Sequence, residues 1–316
     1  MAAGGAAHHG LPPGVAEGVA QALGSPGSPA RIRGVSPVGG GCIHRALRVE
    51  TDRGAAFLKW SSDASSTLFM EEAEGLEALR EVVAVGEEGG FRIPRVMGTG
   101  GGEDSGGGWL ALEWLEAGSP TADAGERTGR ALALLHRPAP GGWGWQSDNH
   151  IATLPQANPS SSTWGEFWRD ARLEPLLRRA GDRGAFSGAG RMWDRVLEGV
   201  EEWLAPVERE EPVLLHGDLW SGNVFFTRTG KPALVDPAVY RGHREVDLAM
   251  MELFGGFPRG TLAAYARLRP LDDGYAGLRR DLYQLYPLLV HVLLFGGGYE
   301  ASALERVRRL AALPTP

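Results

Sequence analysis

Two short stretches carry residue types whose spacing can do chemistry: Leu215-His216-Gly217-Asp218-Leu219-Trp220-Ser221-Gly222-Asn223 and Leu234-Val235-Asp236-Pro237. In the first, a carboxylate follows an apolar run and an amide stands five residues on. In the second, another carboxylate ends a second apolar run. Asp218 at such a strand end can orient a hydroxyl and take its proton, while Asn223 and Asp236 supply hard oxygens that hold Mg²⁺ against the phosphates of ATP. Local turns and caps would account for either kind of residue alone. They do not account for the set, because asparagine occurs only at positions 149, 158 and 223. Spacing by itself therefore leads to the expectation of a Mg²⁺-dependent phosphotransferase.

A second feature is the choice of cation. Lys59 and Lys231 are the only lysines among 32 basic residues, and Lys59 lies inside the apolar string Ala56-Phe57-Leu58-Lys59-Trp60. A compact ammonium suits a partner there that a planar guanidinium would not fit; chance at a strand end is the competing explanation.

The elements that must position these groups fall into two parts. Strands are expected over 31–38, 46–51 and 55–60, the last two joined by a turn at Asp52-Arg53-Gly54. A helix is expected over 69–85, an extended segment over 91–97 around Pro94, a loose Gly-rich connection over 98–108 and a strand over 109–115. Beyond 115 the periodicity turns helical: 121–136, 164–180, 191–204, 245–254, 262–268, 278–295 and 301–312, interrupted by short strands at 212–215, 223–226 and 233–235. The expected division is an N-terminal extension with a helix (1–30), a β-rich lobe (31–115) and a mostly helical lobe (116–316).

The loop His216 to Asn223, the run from Asp236 to Met250, Leu282-Tyr283-Gln284-Leu285-Tyr286 and Phe295-Gly296-Gly297-Gly298-Tyr299 resemble the fructosamine (ketosamine) kinase family. That family lies in the aminoglycoside-phosphotransferase-like branch of the protein-kinase-like superfamily. Weaker echoes at Gly144-Trp145, Gln156-Ala157-Asn158, Trp164 to Phe167 and Arg172-Leu173 extend the resemblance over most of the chain from residue 31. It implies an α+β, bilobal protein-kinase-like fold and ATP-dependent phosphorylation of the 3-hydroxyl of a fructosamine or other ketosamine, free or protein-linked. A phosphate at that carbon makes the adduct labile, which implies a role in deglycation. The alternatives are a related kinase for an aminoglycoside, choline-like or other amino-alcohol substrate, and a nucleotide-binding regulator without turnover.

Carried over residue by residue, the resemblance makes Asp218 the catalytic base and Asn223 and Asp236 the metal ligands, with Lys59 on the α/β-phosphates of ATP. The helix partner of Lys59 is Glu72, with Glu71 and Glu74 as alternates. Backbone groups of Glu113, Trp114 and Leu115 meet the adenine edge. Gly39, Gly40 and Gly41 form the phosphate loop by virtue of lying between the first two strands ahead of Lys59; with 47 glycines in the chain, a glycine run means little by itself. Trp220 and His216 are placed at the substrate with Asp218, Trp220 offering an aromatic face to the sugar and His216 bracing the loop backbone. Asp247 is expected to be structural. Cys42, the sole cysteine, stands in the phosphate loop. There it is either a reactive thiolate able to link two chains into a redox dimer or an inert small residue in a monomer.

Composition narrows the partners. The 316 residues are 43% hydrophobic and carry a net charge of −7, which favours a globular chain and disfavours nucleic acid and anionic membrane surfaces. One cysteine excludes an internal disulfide. The start lacks a basic, then apolar, leader, and the apolar run 285–295 is too short to span a bilayer, so a cytoplasmic protein is expected.

Overall fold

The computed structural model describes residues 10–39, 45–63, 66–84, 89–102 and 106–314. The N-terminal part is one antiparallel sheet built from β1 (Ile32–Pro37), β2 (Arg45–Thr51), β3 (Gly54–Ser61), β4 (Val96–Gly102) and β5 (Gly107–Glu113), in the order β1-β2-β3-β5-β4. The β2–β3 turn closes on Gly54 at φ +113, with the Thr51 hydroxyl donating to the Gly54 carbonyl and accepting from the Arg53 amide.

Strand alternation assigns each side chain of β3 to a face. Ala56, Leu58 and Trp60 are buried beneath helix α1 (Pro13–Ala22), which lays Val15 and Val19 on the back of the sheet. Phe57 and Lys59 therefore point the other way, toward α2 (Ser66–Ala84) and the cleft. Lys59 sits mid-sheet, paired with Ala46 on β2 and Leu110 on β5, which holds its position firmly.

The glycine-rich segment after Met97 departs from expectation: Gly98 to Gly102 is strand, not loose connection, and pairs with β5 from Gly107 to Ala111. The reason is Trp109. A Cβ on Gly100 would lie 2.8 Å from its indole, and one on Gly18 of α1 equally close, while at Gly98 it would meet Ala22 at 2.7 Å. The glycines leave room for one large ring and a helix, and this packing overrides their weak strand propensity.

The remainder is mostly helical: α3 (Ala124–Leu135), α4 (Trp164–Phe167), α5 (Glu174–Asp182), α6 (Gly190–Leu204), α7 (Glu245–Phe254), α8 (Thr261–Leu268), α9 (Arg280–Phe295) and α10 (Gly298–Ala311). Between them lie β6 (Asn149–Ile151), β7 (Leu154–Gln156), β8 (Val213–Leu215), β9 (Val224–Phe226), β10 (Pro232–Leu234) and β11 (Tyr240–Gly242). The single helix expected over 164–180 is broken by a π-helical stretch, Trp168–Leu173, and the expected start of α9 is π-helical over Tyr275–Arg279. Within the first stretch Arg172 is fully buried, its guanidinium 3.9 Å from the ring of Tyr240 and 4.5 Å from that of Phe167. The hairpin β6–β7 and the strand β11 carry no periodicity long enough to read from sequence. Leu282, Leu285 and Leu289 join Trp164, Trp168 and Trp193 in one apolar core, with Leu278 packed against it. Among the described residues no helix is long and apolar enough to cross a membrane.

Candidate active site

The loop after β8 is held from below by one carboxylate. Asp247, on α7, accepts from the amides of His216 (2.8 Å) and Gly217 (3.0 Å) and is bonded on its far side by His136 (3.1 Å). Burial works against the charge on Asp247, but His136 and His216 together outweigh it and hold the carboxyl below its usual value. Asp247 is thus the anchor of the loop.

Gly217 takes a left-handed conformation, φ +79, and a Cβ there would run into the Ala238 carbonyl. Only glycine fits both conditions. His216 is fully buried, donating through Nε2 to the Val235 carbonyl (2.9 Å) and accepting at Nδ1 from the Asp218 amide (3.3 Å). The ring does not line the cleft, which corrects its expected place at the substrate; it braces the loop backbone as expected, tying the loop of Asp218 to the segment that leads into Asp236.

Asp218 then faces the cleft, its carboxylate accepting from Asn223 Nδ2 at 2.9 Å. Burial raises its pKa to about 7; the Asn223 bond and Lys59 pull down, while Asp236 and Asp247 push up. Asn223 also donates to the Asp218 carbonyl at 2.9 Å, so its amide nitrogen serves the loop and its amide oxygen is left to face a cation. Asp236, at φ +57, follows β10 and presents a side chain 43% exposed. A carboxylate and an amide oxygen lining the same cleft are donors that fit Mg²⁺, which takes few protein ligands and completes its shell with other oxygens and water.

Lys59 Nζ lies 2.7 Å from Glu72 and 2.5 Å from Asp236. Burial opposes its charge, yet the two carboxylates outweigh it and hold the ammonium protonated. Glu72 is pushed upward, mainly by burial, with Lys59 pulling down and Asp236 pushing up. Of the three glutamates weighed as the partner of Lys59, the structure pairs Glu72. Glu71 bonds His150 instead (2.6 Å), and Glu74 is exposed.

These groups line one cleft of about 480 Å³, together with Gly39, Glu113, Trp114, Leu115 and Trp220. Glu113 uses its side chain on Arg92 and the Arg95 amide, which fixes the strand end carrying Trp114 and Leu115. The half-buried Trp220 ring lies over Gly222, where it occupies the space a Cβ would need, and meets Phe254 edge-on at 6.4 Å. Gly40, Gly41 and Cys42 lie outside the described residues.

The spacing argument does not reach the hairpin β6–β7, which contributes Asn149 and His150 to the cleft, with Ala152 from its turn. Asn149 and Asn158, the other two asparagines, are both buried and joined by a 2.9 Å bond beneath the strand of Asp236.

The sequence profile of the family described as fructosamine kinase matches residues 16–312. A probable ketoamine kinase of Synechocystis sp. is 38% identical over 286 residues, covering 90% of this chain and 92% of its own length. A chloroplastic protein-ribulosamine 3-kinase of Arabidopsis thaliana is 36% identical, covering 88% and 83%. Among solved structures, a putative fructosamine-3-kinase from Thermobifida fusca superposes with a TM-score of 0.77 at 36% identity, over 90% of this chain and 95% of that one.

Proposed function

The chain belongs to the fructosamine kinase family, and from that premise we propose that it transfers the γ-phosphoryl of ATP to the 3-hydroxyl of a ketosamine, initiating deglycation of the amine that carries it. The observation that carries the proposal is Asp218: a carboxylate at the cleft wall, raised to about 7 and steered by Asn223. A base with that affinity for protons is matched to taking one from a sugar hydroxyl near neutral pH.

In this reading Asp218 orients the hydroxyl and accepts its proton, and Asn223 keeps the carboxylate turned toward it. Lys59, locked between Glu72 and Asp236, presents a fixed positive charge to the α/β-phosphates of ATP. Asn223 and Asp236 would hold Mg²⁺, which supplies charge neutralisation as the phosphoryl group moves. The strand end Glu113 to Leu115 would meet the adenine and Gly39 to Gly41 the phosphates. Residues 31–115 form the nucleotide lobe and 116–316 the lobe of chemistry and substrate.

Charge supports a cationic acceptor. Five carboxylates, Glu71, Glu72, Glu113, Asp218 and Asp236, line the cleft, against Lys59 within it and Arg92 on Glu113, and the secondary amine of a ketosamine is protonated near neutral pH. The half-buried Trp220 ring provides the apolar face that sugar carbons pack against.

A substrate panel tests the proposal: fructosyl-lysine, ribulosyl-lysine, kanamycin and choline, with ADP release and phosphorylated product both measured. Turnover of the two ketosamines well above kanamycin and choline is expected. Ready phosphorylation of kanamycin with none of either ketosamine would overturn the acceptor, and ATP binding without transfer to any of the four would overturn the enzyme.

A further inference from the structure

His150 has no part in the chemistry above, yet it is where the hairpin β6–β7 bonds α2 through a side chain. Its Nδ1 lies 2.6 Å from Glu71 Oε2, with the two side chains 28% and 17% exposed. Glu71 precedes Glu72, and successive helical residues are turned by about 100°. One carboxylate can therefore face the helical part of the molecule while its neighbour faces β3.

The platform under His150 is rigid. Asn149 donates to the Val239 carbonyl at 2.8 Å, Gln156 donates to Asn149 Oδ1 at 2.8 Å and to the Ala238 carbonyl at 3.2 Å, and Tyr286 closes the chain onto Gln156 at 2.5 Å. Each of these bonds is buried, and two of them end on Ala238 and Val239, within three residues of Asp236. On the other side, the first turns of α2 pack shallowly. From Ser66 to Glu72 only Phe69 is fully buried, and Met70 is 50% exposed. The next close approach is at Gly75, where a Cβ would meet Pro237 and Val239 at 3.3 Å. The helix is thus set against the segment after Asp236 at Gly75 and against the hairpin at Glu71, with Glu72 between them.

We propose that His150 is a positioning residue: by bonding Glu71 it fixes the rotation of the first turns of α2 and so keeps Glu72 on Lys59. The hairpin that braces the segment after Asp236 and the helix that orients Lys59 are thereby joined through this hydrogen bond. The effect on catalysis rests on the reading of the cleft as an ATP site; the brace itself does not.

The test compares His150→Ala, His150→Asn, Glu72→Ala and the double variant His150→Ala/Glu72→Ala with the unaltered chain. In nucleotide-free protein, His150→Ala should speed amide hydrogen exchange across residues 66–76 while leaving the melting temperature within about 2 °C, since only one partly exposed bond is lost. KM for ATP should rise about tenfold, as for loss of one charge-assisted bond, and KM for the ketosamine should change less than twofold. Asn places a donor where Nδ1 stood, so His150→Asn should restore most of the loss. In the Glu72→Ala background His150→Ala should cost nothing further, because the group it positions is gone. Unchanged exchange and unchanged KM for ATP in His150→Ala would overturn the proposal, as would a loss that multiplies with Glu72→Ala. If the unaltered chain bound no ATP, the reading of the cleft would fall, and the exchange measurement, which needs no nucleotide, would still decide the brace.

Discussion

Replacing Asp218 by Asn should do two opposite things, and the structure sets the size of both. Burial raises this carboxyl from its usual 3.8 to about 7. The folded state therefore binds the proton more tightly than the unfolded chain does. The stabilisation this provides is complete below about pH 4 and is lost as pH rises through about 7. At about 1.36 kcal/mol per pH unit the full loss is about 4 kcal/mol, of which roughly 2.5 kcal/mol falls between pH 5 and pH 8. Because the carboxylate opens onto the water of the cleft, screening brings this nearer 1–2 kcal/mol. An amide at position 218 never ionises and escapes the loss. Melting of both proteins without nucleotide or Mg²⁺, at pH 5 and pH 8, should show the Asp218→Asn variant gaining on the parent by about 2–4 °C at the higher pH. Its turnover should fall on the order of 10²–10⁴-fold with ATP affinity retained, as for loss of a general base. A melting difference that does not change between the two pH values would refute the buried, proton-holding Asp218, and full turnover would refute its role as base.

Lys59→Arg should lose activity nearly as far as Lys59→Ala, because the 2.7 and 2.5 Å contacts to Glu72 and Asp236 enclose a single ammonium and leave no room for a planar fork; steady-state kinetics in ATP check this, and an active arginine variant contradicts it. Gly217→Ala should cost roughly 3 kcal/mol or more through its left-handed backbone and the Ala238 carbonyl that the new methyl would strike, seen as a lowered melting temperature with the loop of Asp218 displaced. Trp220→Ala should raise KM for the ketosamine about tenfold while KM for ATP stays within twofold, in line with about 1–1.5 kcal/mol for an aromatic face; equal losses in both would show that the ring supports the fold instead.

What sequence alone determined is what depends on residue type and short spacing. Asp218, Asn223 and Asp236 are legible because the base and hard ligands proposed for the cleft call for these residue types, and because Asp218 and Asn223 share one short loop. Lys59 is legible because lysine is so scarce in this chain and this one stands inside an apolar string; its place on the face of β3 opposite Leu58 and Trp60 comes from the sheet and its two covers. Tertiary structure decided what depends on segments far apart in the chain. Glu71, Glu72 and Glu74 are equivalent in composition, and it is the seating of α2, with Phe69 buried, Gly75 close to Pro237 and Val239, and Glu71 bonded to His150, that leaves Glu72 on Lys59. Gly98 to Gly102 becomes strand because Trp109 fills the space their side chains would occupy. His216 turned inward because Val235 and the Asp218 amide satisfy both of its ring nitrogens, leaving it nothing to offer a substrate. The hairpin bearing Asn149 and His150 is three residues to a strand, too short for any period to show. Its place in the cleft comes from a buried amide network reaching Gln156, Asn158 and Tyr286, whose members mean nothing until the chain brings them together.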